Sequence, residues 1–205
     1  MSQDMGLRER KKRRTREALI TAAMELFRSQ GYEQTTVAQI AAAAEVSVRT
    51  FFLHFPAKED LVMAEVSERV ALGVRVFEQP LPGEHLTDLL LRAVNQMITH
   101  TGDTDLVSGV AYSRVQLIVS VPDLQARMLR RLAEAQTLIA DALRRACPEA
   151  LDPIAAAAVV GSVVGAVTAA AAVSVSREDP PERVVAAMRR AAGLAVGDFR
   201  ALIGQ

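Results

Sequence analysis

The chain has 205 residues, of which 50% are apolar, 23% charged and only 4% aromatic, with alanine abundant throughout. This balance excludes a disordered chain and favours helices over strands, because alanine loses no side-chain entropy in a helix. The formal net charge is zero, yet residues 1 to 16 carry seven basic and two acidic side chains, a balance of +5 that leaves −5 elsewhere. Such a basic segment is typical of a protein that binds a polyanion, although a solvated tail has the same composition.

Residues suited to catalysis or metal binding are sparse. Cys147 is the only cysteine in the sequence, which excludes an intrachain disulfide and a thiolate metal cluster. His54, His85 and His100 lack metal-ligand spacing, and no nucleophile elbow or phosphate-binding glycine loop is present. No secretory signal is visible before the basic residues, so we expect a cytoplasmic protein. We predict no enzyme activity, no catalytic residue, no metal site and no cofactor.

Three helices are predicted in the first quarter of the chain. Apolar residues at helical spacing indicate the first, over residues 8 to 30, and Gly31 follows it in the position where helices usually end. Thr36 and Gln39 have the spacing of a capping box, which predicts a short second helix. Ser47 is a favourable N-cap for a third helix of about two turns.

Six further helices follow, separated by proline and glycine. The first of them is predicted to be one long helix from residue 57 to about 78, with Glu59 and Asp60 in its first turn, where the helix dipole favours acidic residues. The other five are predicted over residues 85 to 101, 104 to 120, 122 to 146, 152 to 176 and 181 to 203. No segment alternates as a strand does, so the prediction is an all-α fold of about nine helices.

The second and third helices, at about residues 36 to 55, are joined by a tight turn. This is the arrangement of a helix-turn-helix, whose later helix enters the major groove of DNA. Phe51 and Phe55 are four residues apart and are expected to anchor the third helix in the core, which turns Phe52 and its neighbours Val48 and Arg49 outward. Arg49 can read guanine through its O6 and N7 atoms.

A set of anchor residues lies at fixed spacings between positions 7 and 62. They are Leu19, Ala22, Ala23, Leu26, Phe27, Gly31, Tyr32, Thr35, Thr36, Val37, Ile40, Ala41, Val46, Ser47, Thr50 and the run from His54 to Leu61. By these residues the segment resembles the DNA-binding domain of the TetR family of transcriptional regulators. Two residues depart from the family pattern: Phe52 replaces a usual tyrosine, and Glu45 replaces the usual glycine of the turn. One lost neutral donor costs about 1 kcal/mol, too little to abolish DNA binding.

The resemblance implies roles for individual residues. The two threonines Thr36 and Thr50, with His54 and Lys58, would contact phosphates, whereas Ser47 and the two residues after it would lie closest to the bases. For His54 the alternative is a core histidine, and for Lys58 a solvated charge; a lysine at a helix start favours a bound anion instead. The predicted DNA-binding residues are Arg13, Arg14, Thr36, Ser47, Val48, Arg49, Thr50, Phe52, His54 and Lys58.

The C-terminal third contains an uncharged stretch, residues 154 to 173, which is long enough to cross a bilayer. Its alanine and glycine content and the lack of an aromatic belt favour a buried helix over a membrane span. Paired with the striped final helix and doubled by a two-fold axis, it would form the four-helix interface through which TetR-like proteins dimerise; packing within one chain is the alternative. The predicted interface residues are Ile154, Val160, Gly161, Val164, Gly165, Val184, Met188, Ala192 and Phe199.

The helices between residues 57 and 146 are predicted to enclose an effector pocket. Its predicted lining residues have mixed polarity, and each is otherwise an ordinary core or surface residue. They are Met97, His100, Tyr112, Gln116, Leu117 and Met128.

The expected domains are a basic arm with the helix-turn-helix over residues 1 to 56, a connecting helix and linker over 57 to 83, and a ligand-binding and dimerisation domain over 84 to 205. We expect a repressor that binds a palindromic double-stranded operator as a homodimer and is released by a small apolar effector. The alternatives are a DNA-binding protein without a ligand, such as an architectural factor, and a membrane-associated helical protein.

Overall fold

The computed structural model describes residues 2 to 102 and 110 to 202, and these residues form ten α-helices and no strand. The expected all-α fold is confirmed. The first helix begins before the predicted residue 8, and the start of the helix predicted over 104 to 120 lies outside the described residues. The helices are α1 (Ser2–Gln30), α2 (Val37–Ala43), α3 (Val48–His54), α4 (Glu59–Val62), α5 (Ala64–Glu78), α6 (Leu86–Thr101), α7 (Val110–Ser120), α8 (Pro122–Ala146), α9 (Pro153–Ser176) and α10 (Pro181–Leu202).

The chain divides into two compact units. Unit 1 comprises Met1–Ala64 with Val110–Ala126, and unit 2 comprises Glu65–Gly109 with Arg127–Gln205. In unit 1, α1 packs against α2, α4 and α7, and α2 packs against α3. In unit 2, α10 packs against α6 and α9. Helix α7, which the sequence placed in the ligand-binding part, therefore groups with the helix-turn-helix.

The core of unit 1 is built by the apolar stripe of α1 and the aromatic residues of α3. Leu19 and Phe27 of α1 are buried, together with Ile40 of α2. Phe51 and Phe55 are also buried, and their ring centroids lie 6.0 Å apart. As predicted, these two rings anchor the third helix in the core. Their burial determines which face of α3 remains exposed to solvent.

The predicted unbroken helix over residues 57 to 78 is wrong, because the chain breaks at Met63. This residue lies between α4 and α5 with φ −109° and ψ 13°, outside the helical range. Leu61, Val62, Met63 and Ala64 are all buried. Four consecutive residues point around most of the circumference of a straight helix, so a single helix face cannot bury all of them. The break lets each side chain reach the core and adds the tenth helix.

Two helices end in Schellman motifs that place a glutamate where glycine is usual. After α2, the Val46 amide donates to the Ala41 carbonyl at 2.9 Å, and Glu45 has φ +54°. After α9, the Asp179 amide donates to the Ser174 carbonyl at 3.1 Å, and Glu178 has φ +57°. A side chain with a Cβ is strained in this left-handed region, whereas glycine is not.

Replacing either glutamate by glycine is therefore expected to stabilise the protein. The gain in the free energy of unfolding should be about 0.5 to 1 kcal/mol, because relief of the left-handed strain exceeds the extra chain entropy of glycine. Urea unfolding of Glu45→Gly and Glu178→Gly measures it. Glu134→Gly, at an exposed site within α8, is the matched control and should lose about 1 kcal/mol. A loss of stability in all three variants would contradict the prediction.

The core of unit 2 is contributed by α5, α6, α8, α9 and α10, with Phe77, Leu90, Leu143 and Val160 among its buried residues.

At the edge of this core, Arg92 of α6 forms an ion pair with Glu84 in the turn before that helix. The Arg92 Nε and Nη2 atoms each donate to one oxygen of the Glu84 carboxylate at 2.7 Å. The same carboxylate accepts the Leu81 amide at 3.0 Å. The turn between α5 and α6 is thus closed by a bidentate ion pair, the geometry that guanidinium groups favour.

This ion pair predicts a stability that depends on pH. The hydrogen bond from Arg92, with that from the Leu81 amide, lowers the pKa of Glu84 from 4.5 to about 2. A depressed native pKa means that the contribution of Glu84 is complete above pH 4.5 and is lost as the pH falls towards 2. The difference in melting temperature between the parent protein and Glu84→Gln should therefore shrink between pH 7 and pH 3. A difference that stays constant over this range would contradict the assignment.

Candidate nucleic-acid interface

The start of each helix in the helix-turn-helix is capped as predicted. The Thr36 amide donates to Gln39 Oε1 at 2.8 Å, and the Gln39 amide donates to Thr36 Oγ1 at 3.3 Å, which completes the capping box of α2. The Ser47 Oγ atom accepts the Thr50 amide at 3.0 Å and lies 2.8 Å from Thr50 Oγ1 at the start of α3. These contacts fix where both helices begin.

The outward face of α3 is formed by residues 48, 49, 52 and 53. Val48 is 42% exposed, Phe52 is 53% exposed and Leu53 is 75% exposed. Arg49 is also exposed. The first three positions of this face were predicted from the sequence, whereas Leu53 was missed. Its spacing of i+4 from Arg49 could have identified it, because residues four apart lie on one side of a helix.

Lys58 has a structural role that the sequence did not indicate. Its Nζ atom donates to the carbonyl oxygens of Tyr32 at 2.9 Å and Thr35 at 3.2 Å, and lies 4.2 Å from the centroid of the Tyr32 ring. Carbonyl oxygens of the α1–α2 turn therefore balance this cation, so its place at a helix start has an explanation that needs no bound anion. A phosphate contact by Lys58 remains a prediction.

Arg16 forms a second tether within unit 1. Its guanidinium lies 4.5 Å from the centroid of the Phe55 ring, and its Nη2 atom donates to the Ala64 carbonyl at 2.8 Å. The residue is half-buried. Arg16 thus joins α1 to the end of α3 and the start of α5. Among the described contacts of the basic residues between positions 8 and 16, those of Arg16 are the ones made with the core of unit 1.

His54, the last residue of α3, is half-buried rather than a core residue. Burial, with the positive charges of Arg16 and Lys12, lowers the pKa of His54 below 6.5. Both effects favour the neutral imidazole in the free protein. A nearby phosphate would oppose this shift, because an anion favours the protonated ring.

The other basic residues of the N-terminal segment form a charged surface. Residues 6 to 14 of α1 are all exposed, including Arg13 and Arg14, and Arg13 Nε lies 3.7 Å from Glu17. We call the cations of this stretch the basic segment; its members are Arg8, Arg10, Lys11, Lys12, Arg13 and Arg14. They are carried on a helix rather than on an irregular tail, so their spacing along α1 is regular.

The predicted pocket residues belong to both units: Met97, His100 and Met128 lie in unit 2, and Tyr112, Gln116 and Leu117 lie in unit 1, so a shared pocket stays a prediction. A cavity of about 590 Å³ in unit 2 includes His100, whereas Met97 packs against the core of that unit. Gln116 is exposed, Leu117 and Met128 are half-buried, and the side chain of Tyr112 lies outside the described residues. The cavity is lined by Leu72, Arg92, Asn95, Gln96, Thr99 and His100. Within the described residues no three His, Cys, Asp or Glu side chains converge as a metal site requires.

Helix α9 carries an apolar surface that its own chain covers in part. In the described part of the chain it is the one helix long and apolar enough to cross a membrane, and 22% of the tested stretch is buried. Among the predicted interface residues, Ile154 and Gly165 are exposed, and Gly161 and Val164 are half-buried.

Four other predicted interface residues lie inside the single chain rather than on its surface. Helices α9 and α10 pack against each other within one chain. This packing buries Val160, Val184, Met188 and Ala192 without a partner. The side chain of Phe199 lies outside the described residues. The surface available to a partner is therefore the opposite side of α9, with residues such as Gly165.

These features define a class of protein: an all-helical DNA-binding regulator with an N-terminal helix-turn-helix. Residues 19–64 match the family model of bacterial regulatory proteins of the tetR family, and residues 84–197 match that of the MftR C-terminal domain. The chain belongs to the TetR family of bacterial transcriptional regulators, as its resemblance predicted. Proteins of this family are regulators and not enzymes, and they bind DNA and act as dimers.

Individual relatives agree with this assignment. The transcriptional regulator TcmR of Streptomyces glaucescens is 39% identical over 138 residues, which cover 66% of this chain and 61% of the length of TcmR. A TetR-family regulator from Mesorhizobium loti has a similar structure, with a TM-score of 0.60, 21% identity and coverage of 93% and 97% of the two chains. The Thermus thermophilus repressor FadR, solved with lauroyl-CoA, has a TM-score of 0.56, 23% identity and coverage of 88% and 93%.

Proposed function

We propose that this protein is a cytoplasmic repressor that binds a palindromic operator as a homodimer and is released by a small apolar effector. The observation that carries the DNA-binding part is the outward face of α3, which leaves Arg49 free of the core while Phe51 and Phe55 anchor the helix. The capping contacts of Thr36 and Ser47 hold the motif in the form that enters a major groove.

The apolar surface of α9 supports the homodimer. An exposed apolar helix face of this length needs a cover, and a second copy of the same face supplies one through a two-fold axis. A membrane would also cover it, but the relatives are transcription regulators of the same family. Two copies of α3 about 34 to 36 Å apart then match successive major grooves, which gives a palindromic operator.

Release by an effector is supported by a cavity and by one structural neighbour. The cavity in unit 2 is open to solvent and five of its six lining residues are polar, so it suits the polar end of a ligand. Because the neighbour FadR was solved with lauroyl-CoA, amphipathic compounds with an apolar chain are the first class to test. We propose that the ligand changes the spacing of the two α3 helices by moving α5, a coupling that is typically about 1 to 3 kcal/mol. A protein that needs no ligand is the competing account.

Selection of bound duplexes from random DNA tests the repressor proposal. The expected product is one enriched sequence with two-fold symmetry and half-sites about one helical turn apart. Acyl-CoA compounds and apolar molecules are then added, and an effector should raise the melting temperature of the protein and release the selected duplex. Failure to enrich any sequence would overturn the proposed function, whereas enrichment without a response to any compound would leave the ligand-independent regulator.

Arg49→Ala is expected to relax base preference at one position of each half-site by about 1 to 3 kcal/mol. Lys58→Ala is expected to weaken selected and unrelated duplexes alike and, because it removes the tether to Tyr32 and Thr35, to lower the melting temperature as well. Competition binding on the selected duplex and on point variants of it measures both effects. Equal effects of the two substitutions on base preference would contradict these roles.

A further inference from the structure

The face that α3 presents is unusually poor in groups that can hydrogen-bond to bases. The Ser47 Oγ atom accepts the Thr50 amide and so caps the helix, and it lies 2.8 Å from Thr50 Oγ1, so both hydroxyls have a hydrogen-bond partner within the protein. On the outward face itself, Arg49 is the one side chain with a hydrogen-bonding group among residues 48, 49, 52 and 53. The remaining three side chains are apolar.

These three apolar side chains are exposed and adjacent. Single exposed apolar residues are ordinary, but Val48, Phe52 and Leu53 share one face of two helical turns, and Leu53 is 75% exposed. Phe52 is held by an edge-on contact with the buried ring of Phe51, with 5.3 Å between the ring centroids. The patch is therefore presented on a supported helix rather than on a mobile loop.

The major groove offers one apolar group to such a patch. Only thymine carries a methyl group at C5, and apolar side chains recognise it by contact, while the other bases present donors and acceptors. The charge around α3 favours DNA over a protein partner. The positive charges of Lys12 and Arg16 lie close enough to affect His54 at the end of α3, and the exposed basic segment continues along α1.

We infer that Val48, Phe52 and Leu53 select the operator by packing against the C5 methyl groups of pyrimidines, with Arg49 supplying a guanine contact beside them. The inference rests on the proposed function and deepens it, since it names the chemical feature of the operator that the protein reads. Each half-site should contain thymines next to a guanine. Cytosine methylated at C5 presents the same methyl group, so it should substitute for thymine in this contact.

The test uses the duplex enriched by selection with the full chain. Each enriched thymine is replaced by deoxyuridine, which removes only the methyl group and keeps the base pair. One buried methyl-sized group corresponds to about a fourfold change in affinity, so at least one such position per half-site should lose that factor. Replacing the same thymine by cytosine and then by 5-methylcytosine should show a partial recovery with the methyl group.

Variants connect the methyl group to the side chains. Each of the variants Leu53→Ala and Phe52→Ala lacks one of the contacting side chains. At the thymine that this side chain contacts, replacement by deoxyuridine should therefore no longer weaken binding. Leu81→Ala, at another exposed leucine in the turn after α5, is the matched control and should keep the full penalty. Circular dichroism verifies that each variant is folded.

The outcomes separate the two claims. If no duplex is enriched, the proposed function fails and the inference fails with it. If a duplex is enriched but deoxyuridine is neutral at every thymine, or if Leu53→Ala and Phe52→Ala keep the full penalty, the inference fails while the DNA-binding function stands.

Discussion

Replacing Gly165 by glutamate is expected to make the protein monomeric and to lower its affinity for operator DNA by about 10²- to 10⁴-fold, the factor by which two linked modules exceed one. Gly165 lies on the exposed side of α9, and a Cβ atom added there meets no other heavy atom within 4 Å. The new side chain therefore fits the single chain. In a dimer it would bury an unpaired carboxylate against an apolar partner, which is strongly unfavourable.

Sedimentation velocity measures the oligomeric state, and gel shift with the selected duplex measures the affinity. Ala133→Glu, at an exposed position of α8, is the control that adds the same charge on another helix and should remain dimeric. Circular dichroism confirms that both variants fold. A dimeric Gly165→Glu protein would contradict the placement of the interface on this side of α9, and a monomer that retains full affinity would contradict the need for two copies.

Removing the charges of the basic segment is expected to weaken binding to every duplex. The change replaces its six cations by glutamine and leaves the tether made by Arg16 intact. The logarithm of the affinity falls linearly with the logarithm of the salt concentration, and each lost phosphate contact makes this slope shallower by about 0.9. If half of the six contact phosphate in each of two protomers, the slope flattens by about 5 and the affinity at physiological salt falls on the order of 10²-fold or more.

Titrations at several salt concentrations measure this slope for selected and unrelated duplexes. The preference between the two duplexes should change little, because phosphate contacts carry no direct sequence information. A matched control replaces six exposed arginines of unit 2 by glutamine and should keep most of the slope. These are Arg75, Arg127, Arg130, Arg145, Arg177 and Arg190. Equal flattening in the two sets would show that net charge, and not the basic segment, governs the salt dependence.

The helix-turn-helix was predictable because its signals are local. Thr36 with Gln39, and Ser47 with Thr50, are three residues apart, so each cap is readable from spacing alone. Glycine and proline marked most of the later boundaries for the same reason. The outward face of α3 followed from the four-residue spacing of Phe51 and Phe55, although Leu53 at its edge was missed.

What sequence alone determined about this protein was therefore its all-helical class, the caps of the helix-turn-helix and its family. Only the tertiary structure decided which partner each face meets. Lys58 binds carbonyl oxygens more than twenty residues earlier in the chain, and the chain breaks at Met63 so that adjacent residues can all be buried. Val160 and Met188 fill the core of one chain rather than a surface. The physical reason is that an apolar stripe specifies burial, whereas the surface that buries it depends on residues distant in sequence.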